Sequence, residues 1–281
     1  MMKVSVIVPV LNNVKHVEAC ILSFLGQSYI DAELLLIDGA STDGTLEILE
    51  EYHAKYPDRV RYISEKDRSA GDAINKGLKI ARGSVVGFLG ADDTYEPNTL
   101  VIVIETFAKH PDAGVVFGNC NTIDEEGQFL SVSYARDFNL EEAIHSHCYM
   151  YTPAVFFKKG VTDKLEPWDW TINACDFDFF LRAGILGIKF QRVDVVLTNF
   201  RLREGSISCA KGAVYMYAWQ NFKVAHRYGA KIYEPRGRNL IVTYLTHPLR
   251  FILAPIYHNR VLYPILGKIF HKIIGGKPPK Q

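Results

Sequence analysis

The sequence predicts an α/β protein: a mostly parallel, Rossmann-like sheet flanked by helices, then a smaller α+β half and a basic, apolar tail. Three observations carry this. Short apolar runs alternate with longer amphipathic stretches over residues 1–120, the alternation breaks after Asn119, and the charge balance inverts at Pro235. At 281 residues the chain has volume for one large α/β core with an appendage, and too little for three ordinary domains. Segments 1–120, 121–234 and 235–281 are read as its three parts.

Val4 to Val10, Glu33 to Ile37, Val60 to Ser64, Val85 to Leu89 and Val115 to Phe117 are β-branched or Leu-rich and bounded by turn residues, as buried parallel strands are. Between them, Val14 to Gln27, Gly44 to Lys55, Ala70 to Ala81 and Pro97 to Lys109 carry helical patterning. Asp43 or Thr42 is expected to cap the second helix, Gly83 to end the third, and Pro97 to sit in the first turn of the fourth. Strand-helix alternation implies right-handed crossovers and a sheet covered on both faces. Beyond Asn119, Asp124 to Gly127 reads as a hairpin turn, Ala154 to Phe157 and Val193 to Phe200 as strands, and Phe177 to Leu186 and Val214 to Tyr228 as helices.

Nearly half of the residues are apolar and 22% are charged, which excludes a disordered chain. Cys20, Cys120, Cys148, Cys175 and Cys209 contain no C-x-x-C pair, so free thiols in a reducing cytosol are expected. No secretory leader is read at the N-terminus. From Pro235 onward there are eight Lys or Arg and no acid, leaving 24 basic against 31 acidic residues before it. His145 and His147 flank Ser146, but no further ligand at metal spacing supports them.

Ligands of open α/β sheets bind outside the carboxyl ends of the strands. Here those ends read Pro9-Val10-Leu11-Asn12-Asn13, Asp38-Gly39-Ala40-Ser41-Thr42-Asp43, Glu65-Lys66-Asp67 and Gly90-Ala91-Asp92-Asp93. Carboxylates gathered at neighbouring strand ends repel one another unless a cation or a hydrogen-bonding ligand offsets them. A diphosphate chelated by Mn²⁺ or Mg²⁺ does so, since hard divalent ions take carboxylate and phosphate oxygens together. A dinucleotide-dependent oxidoreductase would need G-x-G-x-x-G after the first strand, which is absent.

Four ordered blocks, Val-Ser-Val-Ile-Val-Pro-Val-Leu-Asn, Leu-Leu-Leu-Ile-Asp-Gly-Ala-Ser-Thr-Asp-Gly-Thr, Ser-Glu-Lys-Asp with Asp-Ala-Ile-Asn-Lys-Gly, and Gly-Phe-Leu-Gly-Ala-Asp-Asp, resemble those of family 2 glycosyltransferases. The resemblance covers residues 3–120 firmly and extends more loosely to 208. It implies the GT-A fold and an inverting transfer from a nucleotide-sugar, UDP-linked by default, to a saccharide or polyprenyl-linked acceptor. Pro9, Val10, Leu11, Asn12 and Asp38 would then hold base and ribose, and Asp67, Asp72, Asn75 and Lys76 would line the donor pocket. Asp92, with Asp93 beside it, would bind Mn²⁺ or Mg²⁺. Gly90 stands where the family's metal motif has its first Asp, so a single-oxygen attachment is expected, and Ser69-Ala70 replaces bulkier residues.

The stretch Cys175-Asp176-Phe177-Asp178 resembles the family's acidic-aromatic block, whose first acid is the catalytic base, here Asp176. Phe200 to Ser208 resembles a loop that closes over the diphosphate, with Arg201 or Arg203 supplying charge. Plainer roles compete: a turn at Asp38, a helix cap at Asp43, and first-turn acids at Asp92, Asp93, Asp176 and Asp178. Trp168 and Trp170 suit either an acceptor wall or the core. A non-catalytic scaffold with a degenerate transferase domain and a nucleotidyltransferase are the alternatives in function. The tail suits the cytoplasmic face of an anionic membrane, held peripherally, or a homo-oligomer contact; no nucleic-acid partner is expected.

Overall fold

The computed structural model describes residues 2–145, 150–165, 167–203, 224, 227 and 228. The tail, the 204–208 loop, Cys148, Cys209 and most of the expected 214–228 helix lie outside these.

Four strands, β1 (Val4–Val10), β2 (Ala32–Asp38), β3 (Val60–Ser64) and β4 (Val85–Phe88), pair in parallel in the order β3-β2-β1-β4. Helices α1 (Val17–Leu25), α2 (Thr45–Lys55) and α3 (Ala70–Ile80) connect them. The two-residue period of a strand, with both faces covered, explains why β1, β2 and β4 are mostly apolar on both faces. Val4, Val6, Val8, Leu34 and Leu36 join α1 and α2 residues such as Phe24 and Leu49 in one core, while Ile7, Leu35 and Ile37 join Ala73 and Ile74 of α3 in another.

The second half continues through β5 (Thr94–Tyr95), α4 (Thr99–Lys109), β6 (Ala113–Ile123), β7 (Phe129–Ser133), α5 (Leu140–His145), a 3₁₀ turn (Thr152–Ala154), β8 (Val155–Lys158), α6 (Lys159–Thr162), α7 (Cys175–Ile185) and β9 (Lys189–Arg201). The sheet order is β3-β2-β1-β4-β8-β6-β9-β5, with β7 also on β6. Strand β8 is antiparallel to both β4 and β6, and β9 returns parallel to β6. The hairpin turn forms as expected, with Gly127 N donating to Asp124 O.

Several boundaries differ from expectation for tertiary reasons. Strand β5 has no sequence signature because pairing of Thr94 and Tyr95 with Asn199 and Thr198 makes it. Gly44, at φ +98°, immediately precedes α2, and Asp43 bonds the Thr45 N–H from one residue further out. Asn98, at φ +64°, precedes α4, leaving Pro97 outside the helix. Gly83 does not end α3, whose C-cap is Ala81; a side chain at Gly83 would stand 2.5 Å from the Ser5 amide nitrogen, so its smallness admits β1. Ser69 caps α3 by accepting from Asp72 N. Cys20, Cys120 and Cys175 are free thiols.

Candidate active site

The loops after β1 and β2 are tied together. Asn12, at φ +46°, accepts Thr42 N–H at 2.9 Å and donates its own N–H to Ser41 Oγ at 2.8 Å. This leaves the Leu11 side chain 56% exposed at the carboxyl end of the sheet. Asp38 was expected to meet the base or ribose, but its carboxylate is fully buried. It accepts from Ser41 N at 3.0 Å, Ser64 Oγ at 2.6 Å and Ser41 Oγ. Asp38 therefore shapes the loop, the role its Asx-type turn allowed.

Asp67 lies against that loop. A side chain on Gly39 would stand 2.9 Å from Asp67 Oδ2, so the glycine makes room for the acid. Burial raises the Asp67 carboxyl above the ordinary range; Lys76 pulls it down, while the Asp72 and Asp38 charges push it up. No hydrogen bond reaches it from the described residues. Its neighbours are occupied differently. Asp72 is held by Arg68 at 2.9 Å, Lys76 by Lys66 O at 2.8 Å and Glu65 at 3.1 Å. Asn75 spends its amide on Trp168, donating to the carbonyl and accepting the N–H, both at 2.9 Å. Of the four residues expected to line the donor pocket, Asp67 keeps unfilled acceptors and Asn75 is a clasp on the 168 segment.

Beyond β4 the two adjacent acids separate. Asp93 is 3% exposed and accepts the Arg201 N–H at 2.9 Å. Burial, with the Asp92 charge beside it, pushes its carboxyl up to about 8. A side chain on Gly90 would stand 2.5 Å from Asp93 Oδ2 and 3.0 Å from Asp92 Oδ1. The glycine in the metal motif is thus the space into which Asp93 folds, so that of the two acids expected to share the ion Asp93 is turned inward. Asp92 stays partly exposed and pairs with Arg203, Nε to Oδ2 at 2.5 Å.

The two arginines divide likewise. Arg201 is buried, its guanidinium donating to the carbonyls of Asp92 at 2.9 Å, Asp124 at 3.1 Å and Glu125 at 2.8 Å. It is a brace between the β4 loop and the β6–β7 turn, with Nε and Nη1 spent on backbone carbonyls. Arg203 is the arginine at the acid.

Among the described residues, no group of three or more His, Cys, Asp or Glu is placed to hold a metal. Asp92 supplies one hard oxygen. An ion there must complete its shell with phosphate oxygens and water, which fits Mn²⁺ or Mg²⁺ arriving with a diphosphate.

Asp176 lies in the first turn of α7. It is half-buried, accepts from Thr152 Oγ1 at 2.6 Å and has no charged partner among the described residues. Burial lifts its carboxyl, with the Thr152 hydroxyl opposing. Asp178 is 1% exposed and committed to Arg182 at 2.8 Å and Tyr228 Oη at 2.8 Å. Trp168 packs on Phe88 and Phe179, whereas Trp170 is 38% exposed beneath the Arg68 guanidinium at 4.0 Å. Sequence reasoning missed Thr152 and Arg68. Thr152 carries no local signal, being 24 residues from its partner; the Arg68 and Asp72 spacing of four was legible.

Among the described residues no helix is long and apolar enough to cross a membrane. Known proteins resemble the chain at two levels. It is 30% identical over 241 residues to the chondroitin synthase of Escherichia coli, covering 82% of this chain and 34% of that protein. It is 27% identical over 214 residues to the hyaluronan synthase of Pasteurella multocida, covering 74% and 21%. The chain thus spans about a third or less of these relatives. In structure it is similar to S. aureus TarS 1-349 in complex with UDP-GlcNAc, with TM-score 0.63, 20% identity, and coverage of 92% of this chain and 76% of that one. It is also similar to the mannosyltransferase PcManGT from Pyrobaculum calidifontis in complex with GDP-Man and Mn²⁺, with TM-score 0.66, 18% identity, and coverage of 95% and 79%. At these identities the structures speak for the fold alone. The family model described as glycosyl transferase family 2 matches residues 5–163, more than half of the sequence, and with the strand-end carboxylates placed as above, the chain belongs to that family and has the GT-A fold.

Proposed function

We propose that the protein is an inverting glycosyltransferase that moves a sugar from a nucleotide-sugar, UDP-linked by preference, to a hydroxyl of a saccharide or polyprenyl-linked acceptor. The observation that carries this reading is the contrast between two carboxylates, Asp92 in the loop after β4 and Asp176 in the first turn of α7. Asp92 is paired with a cation, while Asp176 has no charged partner among the described residues and a raised pKa. One suits a metal and a leaving diphosphate; the other suits a base.

In this reading the acceptor oxygen attacks the anomeric carbon from the face opposite the diphosphate, its proton passes to Asp176, and the bond from that carbon to the phosphate oxygen breaks. A carboxylate lifted toward the working pH is a better base than an ordinary one. Single displacement needs no covalent enzyme intermediate, in keeping with one acceptor-side acid. A divalent ion on Asp92 would supply Lewis-acid charge to the leaving diphosphate. Leu11 offers an apolar face to the base, Asn12 and Asp38 hold that loop in shape, and the unfilled oxygens of Asp67 accept from base or ribose. Residues 1–120 would serve the donor and 121–234 the acceptor. The basic segment 235–281 would rest on the cytoplasmic face of an anionic membrane.

TarS was solved with UDP and UDP-GlcNAc and PcManGT with GDP-Man, so both nucleotides belong in the test. A panel of nucleotide-sugars is screened by thermal shift with and without Mn²⁺, since a ligand bound only by the folded state raises the melting temperature. The hits then go into a transfer assay with product analysis. A metal-dependent shift followed by sugar transfer or donor hydrolysis is expected. Binding without turnover of any donor would favour the non-catalytic scaffold, and a nucleotidylated product the nucleotidyltransferase.

A further inference from the structure

We infer that Arg203 is an internal placeholder for the metal: its guanidinium occupies Asp92 in the empty enzyme and moves to the donor diphosphate when ion and donor arrive together. This rests on the donor reading above and adds to it a mechanism by which ion and donor bind as a unit.

The chain geometry separates a fixed arginine from a movable one. Arg201 ends β9 with its side chain bound to three backbone carbonyls and its amide bound to Asp93. Just past β9, Leu202 N donates to Ile123 O at 2.9 Å, the last backbone tether to β6 among the described residues. Arg203 is the next residue. It lies just past that anchor, and its side chain and that of Asp92 retain 23% and 17% of their exposure. A pair so placed can exchange partners without unfolding the strand. A buried pair such as Arg182 and Asp178, at 12% and 2%, cannot do so at comparable cost.

Charge balance gives the exchange its direction. With the site empty, Asp92 and Arg203 neutralise each other. A bare divalent ion entering alone would place two further positive charges beside a guanidinium, with one carboxylate to share between them. A diphosphate entering alone would face Asp92 without an ion between them. Entering together, ion and diphosphate nearly cancel, Asp92 passes to the ion, and the released guanidinium meets phosphate oxygens in its preferred fork geometry. The Asp92 carboxylate is then never left without a cation.

The test measures Mn²⁺ binding by electron paramagnetic resonance on the full chain, with and without saturating UDP, and with GDP in parallel. Wild type should bind Mn²⁺ weakly alone and much more tightly with nucleotide. In Arg203→Gln and Arg203→Ala, Mn²⁺ should bind the nucleotide-free protein several-fold more tightly than in wild type, because its competitor is gone. UDP alone should bind more weakly. The factor by which nucleotide tightens Mn²⁺ should shrink about fivefold or more, the low end of measured site-to-site couplings. Arg203→Lys keeps the charge and should bind Mn²⁺ alone about as weakly as wild type, and circular dichroism of all three variants controls for misfolding. Unchanged or weaker Mn²⁺ binding by the nucleotide-free Gln and Ala variants overturns the placeholder alone. Absence of Mn²⁺ binding to wild type with either nucleotide overturns both it and the metal-dependent reading of the site.

Discussion

Thr152 Oγ1 donates a 2.6 Å hydrogen bond to Asp176 Oδ2, joining the turn before β8 to the first turn of α7. Burial pushes the Asp176 carboxyl up, and this bond, which favours the charged form, holds it down. In Thr152→Val the restraint is lost and the pKa rises further. Because the base acts only when deprotonated, the acidic limb of the kcat/KM profile should move to higher pH, with activity recovering at alkaline pH. An unchanged limb would remove Asp176 from the role of base.

Asp176→Asn and Asp178→Asn should fail in different ways. The first should lower turnover by roughly a hundredfold or more while nucleotide affinity stays near wild type, as expected when a general base is lost. The second leaves Arg182 and Tyr228 without their shared buried acid and should cost about 3 kcal/mol in stability. Steady-state kinetics and denaturant unfolding separate the two. Reversed phenotypes would exchange the assignments.

Restoring an acid at Gly90 should harm the protein. The space a side chain would need is filled by the carboxylates of Asp93 and Asp92, so Gly90→Asp sets a third charge against two others. Both melting temperature and Mn²⁺ affinity in the presence of nucleotide are expected to fall. Tighter Mn²⁺ binding by Gly90→Asp would show that the loop opens readily and that Asp93 is not fixed inward.

Asp92→Asn should abolish sugar transfer with the fold intact, since Asp92 is partly exposed while its neighbour Asp93 is buried. The loss should amount to several kcal/mol of transition-state stabilisation, of the order Lewis-acid help supplies. Circular dichroism checks the fold and a transfer assay the activity. Full activity in chelator-treated buffer would count against a metal at this position.

The tail reading is tested by flotation with liposomes. The full chain should float with anionic vesicles, less so at high salt, and a chain ending near residue 234 should remain behind. Equal behaviour of the two would favour a contact between subunits.

The sequence by itself determined the N-terminal half: β1 to β4, the helices between them and the cluster of acids at their carboxyl ends. Strand and helix periods are local, and strands covered on both faces announce themselves as mostly apolar runs, so Val4 to Val10 and Glu33 to Ile37 were legible without a partner in view. Their resemblance to a known family was legible for the same reason. What only the tertiary structure decided is which member of each adjacent pair does which work. Asp92 faces outward and Asp93 inward because Arg201, more than a hundred residues later, brings its amide to Asp93. Asp176 is separated from Asp178 by Thr152 on one side and Arg182 and Tyr228 on the other. Neighbouring residues at the end of a strand or the start of a helix point in different directions. Which direction is the cleft depends on elements that arrive from elsewhere in the chain: β8 inserted between β4 and β6, and β9 laid along β6. A local pattern carries no record of those arrivals.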